Sequence, residues 1–272
     1  FAVLIGIGLY CRKHATDVNG FVLGGRSVGP WLTAFAYGTS YFSAVVFVGY
    51  AGQFGWKYGI AATWAGIGNA IIGSLLAWVV LGRRTRIMSQ HLDSATMPQY
   101  FGKRFGSNPL KIGASVIIFI FLIPYTASLY NGLSRLFGMA FNIDYSVCII
   151  IMATLTAIYV IAGGYMATAI NDFIQGIIML FGIIAVIAAV IHSKGGFMSA
   201  LQGLANVSDP AVSNTPGIFA SFFGPDPFNL LCVVILTSLG TWGLPQMVQK
   251  FYAIDNEASI QKGTVISTIF AL

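Results

Sequence analysis

Two stretches of this sequence place hydroxyl side chains and glycine inside segments that are otherwise apolar. The first is Tyr37-Gly38-Thr39-Ser40-Tyr41-Phe42-Ser43, and the second is Thr237-Ser238-Leu239-Gly240-Thr241-Trp242-Gly243-Leu244-Pro245. Glycine and proline release backbone carbonyls and amides from the helical ladder. In an apolar setting such groups must find partners, so interrupted helices occur where they line a cavity or bind an ion. The competing reading is helix packing, because Gly, Ser and Thr also allow close approach between membrane helices. A third anomaly is Asp172, the only charged residue between Ser146 and Ile191. A carboxylate at the centre of a membrane helix costs roughly 2.5–3.5 kcal/mol on insertion scales, which makes it a functional candidate. A turn at Gly163-Gly164 would instead put Asp172 in a first helical turn, stabilised by free amides and the macrodipole. The two readings of Asp172 are compatible.

The elements that must carry these residues follow from composition. The chain has 272 residues, 57% hydrophobic and 8% charged, with a mean hydropathy of +0.80. Soluble domains carry roughly 25% charged residues, so a soluble globule is excluded, and the abundance of Phe and Tyr excludes disorder. The apolar runs are continuous, not alternating, which favours helices over an outer-membrane barrel. They predict an all-α polytopic membrane protein with about eight membrane segments: 1–11, 30–53, 59–81, 110–139, 146–162, 172–192, 228–248 and 260–272. The first and last are too short to cross a bilayer and are read as cut by the ends of the chain. A short interfacial helix is expected at 96–105, with Tyr100, Phe101 and Phe105 toward lipid. Three scattered cysteines, Cys11, Cys148 and Cys232, give neither a disulfide framework nor metal-ligand spacing.

Charge fixes an expected orientation. Of the 14 Lys and Arg residues, all but Lys57, Arg135 and Lys194 fall on one set of alternate connections, Lys250 among them. That side is read as cytoplasmic, so the first helix starts outside. The net charge of +6 needs no nucleic acid, because this asymmetry and attraction to anionic lipid account for it. The two interrupted segments lie five helices apart, which is the repeat length of LeuT-type transporters. Such a pair points to inverted repeats with a site near the bilayer midplane. The expected organisation is a leading helix at 1–11, a five-helix repeat over 29–193, an external loop over 194–227, and the start of a second repeat over 228–272.

A family resemblance covers nearly the whole chain. The stretch 21–31, Phe-Val-Leu-Gly-Gly-Arg-Ser-Val-Gly-Pro-Trp, resembles the entry to the first core helix of the sodium/solute symporters, which carry proline, sugars, sialic acid or pantothenate. Ile158–Ala167 resembles their double-glycine signature, and Asn171-Asp172-Phe173-Ile174-Gln175-Gly176 their Thr-Asp-x-x-Gln motif with Asn in place of Thr. Trp242–Phe251 resembles the end of their second broken helix, and Thr96–Gly106 a cytoplasmic connection. The resemblance implies a LeuT-type fold and symport of a small organic solute with Na⁺ by alternating access, in the plasma or inner membrane. It implies that backbone carbonyls at Thr39 and Phe42 bind Na⁺, a hard cation that takes oxygen ligands. Asp172 matches a carboxylate that serves a second sodium position in some members, so one ion or two is open. Candidates facing the solute are Tyr41, Ser43, Thr63, Trp64, Thr237, Thr241 and Trp242. Tyr41 stands where some relatives carry Asp or Asn, which removes a charge. Asn69, a buried amide, is read as structural. A channel, a non-transporting solute sensor and a proton-coupled carrier of the same fold are the rivals. No nucleophile–base pair suggests an enzyme.

Overall fold

A computed structural model describes residues 2–42, 50–209 and 211–272 of this chain. The described residues are helical, with two isolated β-bridges in place of any strand. The helices are α1 (Ala2–Cys11), α2 (Val18–Leu23), α3 (Pro30–Tyr41), α4 (Ala51–Tyr58), α5 (63–91), α6 (Met97–Phe105), α7 (Asn108–Phe141), α8 (Tyr145–Ser193), α9 (Phe197–Ala205), α10 (Pro227–Gly240), α11 (Pro245–Ala253) and α12 (Glu257–Ala271).

Local chemistry sets their starts. Proline occupies the first turn of α3, α6, α7, α10 and α11, where its missing N–H costs nothing. The side chains of Thr96, Ser107, Asp144, Asp226 and Asn256 each accept a hydrogen bond from a first-turn amide.

Among the described residues, three stretches, 51–91, 108–141 and 145–193, are long and apolar enough to cross a membrane, and α10 with α11 forms a fourth that bends by 46° at its break. The helix of 49 residues, α8, would be about 74 Å long if straight, over twice a hydrocarbon core of about 30 Å. It does not run straight, because Gly164 takes φ 57°, ψ −150°. The first half (145–163) and second half (165–193) are called α8a and α8b below. Gly163 and Gly164 allow close contact here: a Cβ on Gly163 would lie 2.7 Å from the Gly8 carbonyl, and one on Gly164 would lie 2.8 Å from that of Phe21.

Several expected boundaries change. The segment expected over 30–53 leaves the helical conformation at Phe42 (φ −91°, ψ 64°). The connection expected at 163–171 is helix, because a single residue, Gly164, suffices to turn the chain. Asp172 therefore lies eight residues beyond the break, not in a first helical turn. Tyr100 does not point to lipid; it stacks on Tyr252 with centroids 6.0 Å apart, whereas Phe105 is 66% exposed. Lys250 is no loop charge: it is buried within α11.

The core lies where α3, α5, α11 and α12 meet. Tyr37, Trp78 and Phe251 form a mutual aromatic cluster with centroids 5.1–5.6 Å apart. Gly263 of α12 sits against the Trp78 ring, and Gly38 of α3 against Phe270. Small residues at these crossings let large rings interdigitate.

Candidate functional site

The two interrupted segments meet. The first ends at Tyr41, whose hydroxyl donates to Asn69 Oδ1 at 2.9 Å and lies 3.1 Å from the Thr237 carbonyl. Asn69 Oδ1 also accepts from Ser238 Oγ at 3.0 Å. One amide oxygen thus ties the end of α3 to the last turn of α10. All three side chains are buried.

The segment of α5 facing them is not regular. It runs from Thr63–Gly68 through π-helical stretches at Asn69–Leu76 and Trp78–Gly82, then ends as Arg83–His91. Such wide turns concentrate at functional sites. The carbonyl of Gly73 accepts from the Tyr37 hydroxyl at 2.9 Å, and that of Ile72 from Trp242 Nε1 at 3.0 Å. Gly73 also has no Cβ where the Tyr41 hydroxyl passes, so any larger residue there would collide with it. Ser74 Oγ and Ser267 Oγ, 2.8 Å apart, join α5 to α12.

The second break lies where its glycines and proline predict it. After Gly240 the chain turns through Thr241-Trp242-Gly243-Leu244 and resumes helix at Pro245. Thr237 Oγ1 donates to the Val233 carbonyl at 2.9 Å and Thr241 Oγ1 to the Ser238 carbonyl at 3.0 Å, so both hydroxyls are held within their own helix. Thr39 behaves alike, donating to the Phe35 carbonyl at 2.9 Å, and its methyl packs toward Gly176 of α8b. Ser43 lies outside the described residues.

Thr63 and Trp64 are not beside this cluster. Trp64 Nε1 donates to the Phe222 carbonyl at 3.0 Å, and the rings meet edge to face at 4.8 Å. Thr63 bonds to the Ile60 carbonyl at 2.8 Å. Trp64 thereby clasps the 206–226 connection, whose Phe219 backbone rests on Gly59.

Asp172 has a partner. Lys250 Nζ lies 3.5 Å from its Oδ2 and 5.1 Å from the centre of the Tyr165 ring. The pair joins α8b to α11. Nearby in sequence, Asn171 is 1% exposed and its amide has no hydrogen-bond partner; the Tyr165 hydroxyl and the Gln246 amide also have none.

A latch closes one end of these helices. Gly24, Gly25 and Arg26 all have φ near +60°, a conformation disfavoured for arginine. It aims the Arg26 guanidinium at the carbonyls of Ser94 (2.8 Å), Ser89 (3.3 Å) and Tyr252 (3.3 Å) and at Ser89 Oγ (3.1 Å). Arg86 donates to the carbonyls of Ile254 and Asp255. Val28 and Ile254 form a parallel bridge, with Val28 N–H donating to the Ala253 carbonyl and Asp255 N–H to that of Val28.

Sequence reasoning read Asn69 as structural without naming its partners, Tyr41 and Ser238, and missed the pairing of Lys250. The signal for Asn69 was present: it is an amide between glycines at 66, 68 and 73 in an apolar helix. Lys250 carried no such signal, because it stands near a proline and next to a polar connection.

Comparison with known proteins bears on what this arrangement is. The sodium:solute symporter family model matches residues 21–272. The chain is 30% identical over 259 residues to the osmoregulated proline transporter OpuE of Bacillus subtilis (strain 168), covering 94% of this chain and 51% of that protein. It is 32% identical over 272 residues to the sodium/proline symporter of Staphylococcus aureus (strain JH9), covering 96% of this chain and 50% of that protein. The chain thus spans about half the length of the curated relatives it matches, which are transporters and not enzymes. With apolar helices of spanning length and a family match over all but its first 20 residues, this chain is an integral membrane protein of the sodium:solute symporter family.

Proposed function

We propose that this chain forms part of a secondary active transporter that couples entry of a small organic solute to Na⁺ by alternating access. One observation carries the reading: the Tyr41–Asn69–Ser238 bonds bring the ends of two broken helices together, as a site built from unwound backbone requires. In this reading Na⁺ is held partly by the backbone carbonyls of Thr39 and Phe42. The solute lies against Tyr41, Ser43, Thr237, Thr241 and Trp242, while Thr63 and Trp64 serve the entrance beneath the 206–226 connection.

The fold in this proposal is LeuT-type. A leading helix (1–11) is followed by a five-helix repeat (29–193), an external loop (194–227) and the start of a second repeat (228–272). The Arg26 latch then lies on the cytoplasmic side and the first helix starts outside.

An uncharged lining of Tyr, Thr and Trp suits a neutral or zwitterionic solute. The relatives' proline makes that amino acid the first solute to test. The driving force is adequate. One charge crossing 100 mV yields about 2.3 kcal/mol, and a tenfold gradient adds about 1.4 kcal/mol, enough for roughly 500-fold accumulation.

The test is radiolabelled proline uptake by the full-length protein in liposomes under an imposed Na⁺ gradient, followed by a panel of neutral solutes. Uptake that requires Na⁺ is expected. Uptake indifferent to Na⁺ but driven by a proton gradient overturns the coupling ion, and solute binding without counterflow overturns transport.

A further inference from the structure

We infer that Lys250 is the resident counter-cation of Asp172 and holds the place of a second coupling ion, so that the protein binds one Na⁺. The inference rests on the sodium-coupled reading above and specifies its stoichiometry.

The family resemblance gives Asp172 a sodium role in some members, and the residues around Asp172 here do not fit that role. Its carboxylate already faces an ammonium at 3.5 Å. That ammonium is held from a second side by the Tyr165 ring at 5.1 Å, and the Lys250 side chain is only 7% exposed. The backbone that carries the lysine is anchored over the last turns of α11 and just beyond it. Gln249 donates to the Val22 carbonyl, Arg26 to the Tyr252 carbonyl and Arg86 to the Ile254 carbonyl.

A Na⁺ on the carboxylate oxygens would sit about 4 Å from the ammonium. At the intermediate dielectric of a protein site, repulsion between two unit charges at that distance lowers occupancy by about a thousandfold. An ammonium beside a partly buried carboxylate, whose side chain is 25% exposed, also satisfies its charge without a diffusible ion, and removing either partner leaves the other charge uncompensated. Lys250 thereby converts an ion site into a fixed cross-link between α8b and α11.

The experiment counts radiolabelled Na⁺ bound at equilibrium to the purified full-length protein, a readout that needs no knowledge of the solute. One Na⁺ per protein is expected for the wild type and for Lys250→Arg, which keeps the charge. Lys250→Met is expected to bind a second Na⁺, which the double variant Lys250→Met/Asp172→Asn loses again. Two bound Na⁺ in the wild type, or one in a folded Lys250→Met protein, overturns the inference. If Lys250→Met does not fold, Asp172→Asn alone decides: it is expected to keep its one Na⁺, and loss of that ion overturns the inference. Absence of any bound Na⁺ in the wild type would instead refute the sodium-coupled reading itself.

Discussion

The Tyr41 hydroxyl reaches across from the end of α3 to Asn69 Oδ1, 2.9 Å away, and the same oxygen is shared by Ser238 of α10. Two helices separated by about two hundred residues are therefore registered against one amide on a third.

Tyr41→Phe keeps the ring and removes only the hydroxyl. Losing one buried hydrogen bond costs about 1–3 kcal/mol, of which a share falls on the site geometry. Solute KM is expected to rise by about tenfold in uptake assays, with the protein still folded. Asn69→Ala removes both bonds and is expected to have the larger effect. An unchanged KM in both variants would separate this cluster from the solute.

Gly73→Ala tests packing at the same point. Its methyl group would collide with the Tyr41 hydroxyl, so either Tyr41 or the π-helical stretch must shift. Overpacking of this kind costs typically 1–3 kcal/mol. A thermal melt in detergent should show a lowered midpoint, and the combination Gly73→Ala with Tyr41→Phe should recover part of it.

Arg26→Lys tests the latch. A guanidinium spreads its donors over Ser89, Ser94 and Tyr252, and a lysine ammonium cannot reproduce that fork. The latched end is expected to open more often. A cysteine replacing Val248, which is 6% exposed, should then react with a thiol reagent several-fold faster than in the Arg26 background.

Trp64→Ala tests the opposite clasp. It removes one hydrogen bond and one edge-to-face contact to Phe222. Such aromatic contacts contribute about 0.5–1.5 kcal/mol, so cleavage within 206–226 by a protease should accelerate by several-fold. Unchanged cleavage would show that Phe219 on Gly59 suffices to hold the connection.

The position of the second break was legible in the sequence, because glycine and proline act on the backbone directly, whereas Gly38 of the first segment lies inside α3, which ends only at Tyr41. The second break falls between Gly240 and Pro245 as expected. The double glycine was legible as a turn but not its economy: Gly164 alone takes the unusual conformation, and helix resumes at once. That shift carries Asp172 out of a first helical turn and against Lys250, a pairing between residues 78 positions apart that no local pattern encodes. Trp64 and Tyr100 were misplaced for a related reason. An aromatic in an apolar segment has a character but no address until its partner, Phe222 or Tyr252, is known. Asn69 was visible but its bonds were not, since they depend on wide helical turns that the sequence does not announce.

The bridge between Val28 and Ile254 is made by backbone atoms on both sides. Side-chain substitution at either position leaves those two bonds available, so what scanning mutagenesis would register there is the loss of buried packing and not the join itself. Mechanically it splices the approach to α3 onto the exit from α11. Because Val28 and Ile254 are both fully buried, the join is held twice over, by backbone bonds that any residue but proline could make at these positions and by side chains that fill the core on either side of it.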